Sequence, residues 1–344
     1  MKFLKVPRGD GEKTRRALAS EGLLSKDYAI ISEGDFVFLP ITDVASGSRK
    51  WKAYEVVERK AQAREIRHEK LKDALSGFLG KDELESLVAS FDLIGDIAII
   101  EIPEALEKHE AKIGEALLCV HKNLKTVLKK LGPMEGEYRT RKLKCIAGED
   151  RTETIYKESG VRMRFDVAKV YFSVRLATER KRIADLVQDG EKVLVMFAGV
   201  GPFALVIAKN KPNSRITAVE LNPEAVRYMK ENIALNKMQN IEAVEGDVKK
   251  VFFDKSGYDR VIMPLPKGAH EFLDVAYSAV KNKGTIHFYT FSDAKAPFIE
   301  PLMRIKDAAK LSGVSAEPSS MRIVRPFSPA TVQAVIDIIV QKNQ

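Results

Sequence analysis

The sequence predicts an α/β protein whose C-terminal part is a doubly wound, Rossmann-like domain, preceded by two smaller α+β domains. Three observations carry this. From Val167 onward short apolar runs alternate with helical patterns, as expected of parallel strands covered by helices on both faces. The run Val193-Leu194-Val195-Met196-Phe197 leads into a turn holding Gly199 and Gly201 that opens a helix. Upstream of residue 165 the strand patterns are short and punctuated by glycine and proline. The resulting domain limits are 1–58, 59–164 and 165–344.

Element by element, Glu12 to Glu21 reads as a helix and Phe36 to Pro40 as a strand halted by proline, in a small module with little core of its own. Val56 to Lys72 is charge-dense and reads as a helix or linker. Two strands follow, Phe91 to Ile94 and Ile97 to Ile102, broken at Gly95-Asp96. After Pro103, Leu106, Ile113, Leu117, Val120, Leu124, Val127 and Leu131 recur three, four or seven apart and predict one long helix. Lys108, Lys112, Lys122, Lys125, Lys129 and Lys130 would form its solvated face.

Leu143 to Ala147, Glu153 to Lys157 and Val161 to Phe165 are short strands, the last two joined by Glu158-Ser159-Gly160. The doubly wound pattern supplies strands at Lys192 to Phe197, Arg215 to Leu221, Ile241 to Glu245, Arg260 to Met263 and Thr285 to Phe291. Glu224 to Leu235 and His270 to Val280 are helical between them. Met321 to Val324 and Val332 to Val340 would complete the sheet with an antiparallel edge.

With 344 residues, 45% hydrophobic and 31% charged, the chain is expected to be globular and multidomain. A formal charge of +9 suits a polyanionic partner, because each cation placed on a phosphate releases counterions. No apolar run approaches the roughly 20 residues needed to cross a bilayer, and Met1 to Pro7 lacks the apolar core of a signal peptide. A cytoplasmic monomer away from membranes is expected. Cys119 and Cys145 lack metal-ligand spacing and read as core fillers, and the five histidines lie far apart, so no metal site is indicated.

The strand ends of the doubly wound region carry chemistry. Gly199 and Gly201 let backbone approach a ligand at the carboxyl end of the first strand. Glu220 ends the second strand, where a carboxylate can accept both hydroxyls of a ribose, and Asn222-Pro223 opens the next helix. Asp247, in Gly246-Asp247-Val248, ends the third, where an acid can meet an adenine amino group. Met263-Pro264-Leu265-Pro266 ends the fourth. Together they favour S-adenosyl-L-methionine (SAM) over a nicotinamide.

Four stretches then carry a resemblance: Lys169-Val170-Tyr171-Phe172-Ser173-Val174-Arg175-Leu176-Ala177-Thr178-Glu179-Arg180, Met196-Phe197-Ala198-Gly199-Val200-Gly201-Pro202-Phe203, Ala147-Gly148-Glu149-Asp150-Arg151-Thr152 and Ile286-His287-Phe288-Tyr289. With Ile94-Gly95-Asp96-Ile97-Ala98 and Lys5-Val6-Pro7, the chain resembles, over nearly its whole length, the archaeal and eukaryotic type of tRNA (guanine-37, N1) methyltransferase. The resemblance implies methyl transfer from SAM to N1 of guanosine 37 of tRNA. It implies a first domain on the tRNA corner, a second holding the anticodon arm and a third that is catalytic.

It further implies Glu179 as general base, and Arg139 or else Arg141 as the guanidinium that stabilises guanine O6. Arg180, Phe197, Gly199, Gly201, Glu220, Leu221, Asp247, Val248 and Pro264 fall at cofactor positions, with Tyr171 and Pro266 toward the target base. Read from helical spacing alone, Glu179 would instead pair with Arg175 or Arg182. The chain departs from the family at Val195, where an acid is common, at Met263-Pro264-Leu265-Pro266, where Asn-Leu-Pro is usual, and at Val174, in place of a proline. Two alternatives stay open: a wyosine-pathway transferase of the same tRNA position, moving methyl or aminocarboxypropyl, and a weakly catalytic tRNA-binding paralogue.

Overall fold

The computed structural model describes every residue except 26, 47–48, 62–69, 88–89, 252–256 and 343–344. The chain forms two compact units, Met1–Asp73 and Ala74–Gln344. In the first, β1 (Lys2–Pro7), β2 (Ile31–Glu33), β3 (Phe36–Pro40) and β4 (Glu55–Glu58) form an antiparallel sheet ordered β2-β3-β1-β4. Contrary to the sequence reading, this unit has its own core of Leu4, Val6, Leu18, Leu39, Ile41 and Trp51, with Leu18 supplied by the helix Gly11–Ser20. Residues 62–69 of the expected helix or linker lie outside the described residues, and its first residues belong to β4.

The second unit begins with β5 (Phe91–Ile94), β6 (Ile97–Ile100), β7 (Thr126–Lys130) and β8 (Leu143–Gly148), ordered β5-β6-β7-β8. Here the predicted long helix is corrected. The α-helix spans only Glu110–Val120, and Thr126 to Lys130 form a strand parallel to β6. Val127 and Leu128 are buried in that strand, and the helical reading arises because Val127 and Leu131, four apart, continue the spacing across the break after Val120. Lys129 is not solvated either: it is buried between Glu107 (2.5 Å) and Glu110 (3.2 Å). Cys119, expected in the core, is exposed on the outer face of the helix. The hairpin β9 (Glu153–Glu158) and β10 (Val161–Asp166) turns through Ser159 (φ 46°) and Gly160 (φ 77°), the consecutive positive φ angles of a tight two-residue turn.

The large sheet contains β11 (Lys192–Val195), β12 (Arg215–Glu220), β13 (Ile241–Glu245), β14 (Tyr258–Met263), β15 (Val280–Asp293), β16 (Val314–Ser328) and β17 (Thr331–Lys342). Their order is β13-β12-β11-β14-β15-β17-β16. The first five in this order pair in parallel, and β17 and β16 add the expected antiparallel edge. Alternate residues of β11 and the adjoining Met196 enter two cores. Val193 and Val195 pack with Ile183, Phe203 and Val226 from one set of helices, whereas Leu194 and Met196 pack with Leu273, Ala276 and Ile305 from another. A parallel sheet buried on both faces explains the near-continuous apolar runs of its strands.

After β11 the chain moves outward to β12 and β13, then returns to β14 on the other side. Such a switch point leaves a crevice beyond the carboxyl ends of β11 and β14. Along β16 the pairing with β17 slips between Ile323 and Arg325, so Arg322 lies opposite Val335 and Arg325 opposite Gln333. No helix among the described residues is long and apolar enough to cross a membrane.

Candidate active site

The turn beyond β11 is set by backbone. Phe197 (φ 53°), Gly199 (φ 57°) and Gly201 (φ 88°) all take left-handed conformations within five residues, and Pro202 starts the helix Pro202–Asn210. A Cβ on Gly201 would lie 3.0 Å from the Met229 side chain, so steric room and conformation both favour glycine there. At the end of β12 the Glu220 carboxylate accepts the Gly199 amide (2.7 Å) and the Asn222 amide (2.9 Å). Burial pushes its carboxyl above the ordinary range, against the lowering effect of those amides. Leu221 follows, and Asn222 caps the next helix through Glu224 (3.0 Å).

Beyond β13, Gly246 (φ 142°) has no room for a Cβ, which would fall 2.4 Å from Val251. Asp247 accepts the Lys249 amide (2.9 Å) and meets Lys250 at 3.8 Å, while Val248 is buried. After β14, Pro264 is half-buried and the Pro266 carbonyl accepts the Phe291 amide (3.0 Å). Val195 is fully buried in the core between β12 and β14. A backbone cradle flanked by two half-buried acids fits the nucleoside part of SAM.

Arg180 does something else here. Its guanidinium is 1% exposed, bonded to both oxygens of Glu158 (2.5 Å each) and to the Ser173 carbonyl (3.0 Å), and lies 5.2 Å from the Phe172 ring. It fastens the turn of the β9–β10 hairpin to the helix Ala177–Leu186.

Arg139 and Arg141 both line a cavity of about 590 Å³ together with Tyr171, Phe172, Arg175, Phe291, Arg325 and Phe327. Both guanidiniums left open by the sequence therefore reach one space. Arg139 takes φ 52° and stacks 4.8 Å from the centre of the Tyr171 ring. The Arg141 Nε is buried and has no hydrogen-bond partner among the described residues. Arg175 is held by Asp92 (3.0 Å), and Arg325 by Gln333 (2.9 Å). Burial, with repulsion from Arg141, pushes the Lys130 ammonium in the same wall below its ordinary range. The cavity is thus rich in cations and aromatic faces, which suits a splayed base and its phosphates.

Glu179 is 4% exposed and is not part of that wall. Its Oε1 accepts Arg182 Nε (2.9 Å), Arg182 Nη2 (2.7 Å) and the Tyr289 hydroxyl (2.7 Å). The i,i+3 pair anticipated from spacing is present, and Arg175 instead joins Asp92. Arg182 continues to Asp337 (2.8 and 3.3 Å), and Asp337 to His287 Nδ1 (2.6 Å). Sequence reasoning missed Tyr289, Asp337, Phe291, Arg325 and Phe327. The available signal was polar residues set inside buried strand runs, as in Ile286-His287-Phe288 and Ile336-Asp337-Ile338.

Comparison with known proteins matches residues 154–317 to the TRM5/TYW2 methyltransferase domain, 71–152 to the TYW2 N-terminal domain and 4–49 to the tRNA methyltransferase 5 N-terminal domain. The chain is 42% identical to the tRNA (guanine(37)-N(1))-methyltransferase Trm5b of Pyrococcus abyssi, over 97% of each chain. It is 33% identical to the tRNA(Phe) (4-demethylwyosine(37)-C(7)) aminocarboxypropyltransferase of Methanocaldococcus jannaschii, over 72% of this chain and 96% of that one. Among solved structures, the complex of aTrm5 and tRNALeu superposes with a TM-score of 0.82 at 36% identity, covering all of both chains.

Proposed function

The chain belongs to the TRM5/TYW2 family of tRNA methyltransferases, and from that premise we propose how its residues methylate N1 of guanosine 37 in tRNA. The observation that carries the reading is the convergence of Arg139 and Arg141 on one aromatic-walled cavity, in a chain 42% identical to a guanosine-37 methyltransferase along nearly its whole length. Residues 1–58 would hold the tRNA corner, 59–164 the anticodon arm and 165–344 the reaction. The cytoplasm, where tRNA is handled, is the expected site of action.

The amides of the Phe197–Gly201 turn would cradle SAM, Glu220 would accept from its ribose hydroxyls, and Asp247 from its adenine amino group. Leu221, Val248 and Pro264 supply apolar surface around the nucleoside. Bound there, SAM supplies an electrophilic methyl carbon that bonds to N1 while its bond to sulfur breaks, leaving S-adenosylhomocysteine.

N1 of guanine carries a proton at neutral pH, so its lone pair becomes available only as that proton leaves. Glu179 takes it as a carboxylate and later releases it to water. Negative charge then develops on O6, and a guanidinium from Arg139, with Arg141 beside it, stabilises it in a site poor in water. Tyr171 and Pro266 hold the splayed base between an aromatic face and an apolar one. Arg180 contributes by fixing the hairpin against the helix that carries Glu179.

The test uses tRNA transcripts bearing guanosine or adenosine at position 37, incubated with SAM and digested to nucleosides. 1-Methylguanosine from the first transcript alone, with S-adenosylhomocysteine as coproduct, is expected. Methylthioadenosine as coproduct would replace this reading with aminocarboxypropyl transfer, the activity named for the relative at 33% identity. Full activity of Glu179→Gln would remove Glu179 from the role of base.

A further inference from the structure

The Glu179 carboxylate is held unequally. Oε1 takes three hydrogen bonds, from Arg182 (2.9 and 2.7 Å) and Tyr289 (2.7 Å), which leaves it no room for another proton. Among the described residues Oε2 meets Arg322 alone, at 3.8 Å, beyond hydrogen-bond reach. The two oxygens of the proposed base are therefore already distinguished before any substrate binds.

The groups that impose this asymmetry are held in turn by partners on the same face of the sheet. Arg260 Nη1 lies 2.7 Å from His287 Nε2, while Arg260 Nε and Nη2 donate to Glu191 (2.8 and 3.0 Å). A guanidinium can only donate, so Nε2 is the acceptor and the proton of a neutral His287 sits on Nδ1. That N–H points at Asp337 Oδ1, 2.6 Å away. Burial, which pushes His287 below its ordinary range, agrees with a neutral ring. Asp337 has one oxygen 2.8 Å and the other 3.3 Å from Arg182, so it fixes the guanidinium plane that meets Glu179.

Glu191, Asp337 and Glu179 bring three negative charges against the two guanidiniums of Arg260 and Arg182. Glu179 and Asp337 share Arg182, and among the described residues the one further cation near Glu179, Arg322, is partly exposed. Five elements share this arrangement: the helix Ala177–Leu186, β14, β15, β16 and β17.

We propose that Tyr289, Arg182, Asp337 and His287 form a positioning relay that occupies Oε1 of Glu179 and reserves Oε2 for the N1 proton. The relay rests on Glu179 being the base. None of its members touches the reacting atoms. What they supply is the plane of the carboxylate and the choice of oxygen, since a rotated carboxylate would turn a saturated oxygen toward N1. Atoms balance simply: the N1 proton passes to Oε2, the N1 lone pair forms the bond to carbon, and the carboxyl returns its proton to water.

Tyr289→Phe removes a single donor without changing shape, and Asp337→Asn loosens Arg182. Each is to be measured by steady-state and single-turnover methylation, alone and combined with Glu179→Gln, with SAM affinity by calorimetric titration and melting temperature alongside. Loss of about tenfold in kcat is expected for Tyr289→Phe, with KM for tRNA and the SAM affinity within twofold of the parent. Added to Glu179→Gln, it should cost nothing further, because its only path to the reaction runs through that carboxylate.

Unchanged kcat in Tyr289→Phe overturns the relay, as does a further loss on top of Glu179→Gln or a parallel loss of SAM affinity. If Asp337→Asn fails to fold, Tyr289→Phe still decides. Full activity of Glu179→Gln alone would instead mean that the base reading has failed, whatever Tyr289→Phe does.

Discussion

At the crevice proposed for SAM the hydrogen bonds come from backbone shaped by a few neighbouring residues, whereas the network around Glu179 is built from side chains as far apart as Arg182 and Asp337, 155 positions in sequence. Phe197, Gly199 and Gly201 set the turn, and Glu220 answers it from the next strand. By contrast the cavity holding Arg139 and Arg141 needs Tyr171 from one segment and Arg325 and Phe327 from another. Backbone sites tolerate side-chain change but not Cβ atoms or altered φ. Side-chain sites tolerate local backbone change but fail when one member of a network is lost. The two halves of one reaction should therefore separate under mutation.

The sharpest separation is expected from Glu179→Gln. Methylation of the guanosine transcript should fall by about 100-fold or more, the range of general-base catalysis, while calorimetric titration shows SAM affinity unchanged. A parallel loss of SAM affinity would collapse the distinction. Arg139→Ala and Arg141→Ala come next, each lowering kcat by roughly 10- to 100-fold. Single-turnover rates at saturating SAM will rank the two, and whichever falls further marks the guanidinium at O6.

The third test is one of pH and stability. Burial pushes the Asp337 carboxyl up, but hydrogen bonds from His287 and Arg182 outweigh this and hold it at about 2. A carboxyl depressed on folding stabilises the native state above its unfolded value, and loses that contribution as pH falls through the folded value. Wild type should therefore lose about 2 kcal/mol relative to Asp337→Asn between roughly pH 4 and pH 2. Denaturant unfolding of both proteins across that window checks it, and parallel curves would refute it. The smallest effect belongs to Gly201→Ala. Strain at φ 88° and the approach to Met229 should cost about 1 kcal/mol, seen as a several-fold weaker SAM affinity with kcat at saturating SAM preserved.

This same contrast explains what the sequence disclosed. The parallel strands and the antiparallel edge were legible because each is a separate apolar run, and the crevice because its residues sit at strand ends, whereas the strand order was not. Thr126 to Lys130 was misread because Val127 and Leu131 continue a helical spacing by accident, and only pairing with β6 distinguishes the two. Glu179 was named through resemblance, yet nothing local to it announces Tyr289, 110 positions later, or Asp337 beyond that. Networks of this kind are decided by sheet register, which no window of sequence contains.

The slip between Ile323 and Arg325 on β16 has a consequence of that sort. In a regular strand Arg322 and Arg325, three apart, would face opposite sides of the sheet. Because Val324 is an extra residue against β17, both arginines stand on the Val335 and Gln333 side, one near Glu179 and the other in the cavity wall with Phe327. Val324 thus works as a phase shifter: a single unit of chain length aligns the two arginines with two parts of the proposed site, and it does so through counting rather than through any chemistry of its own.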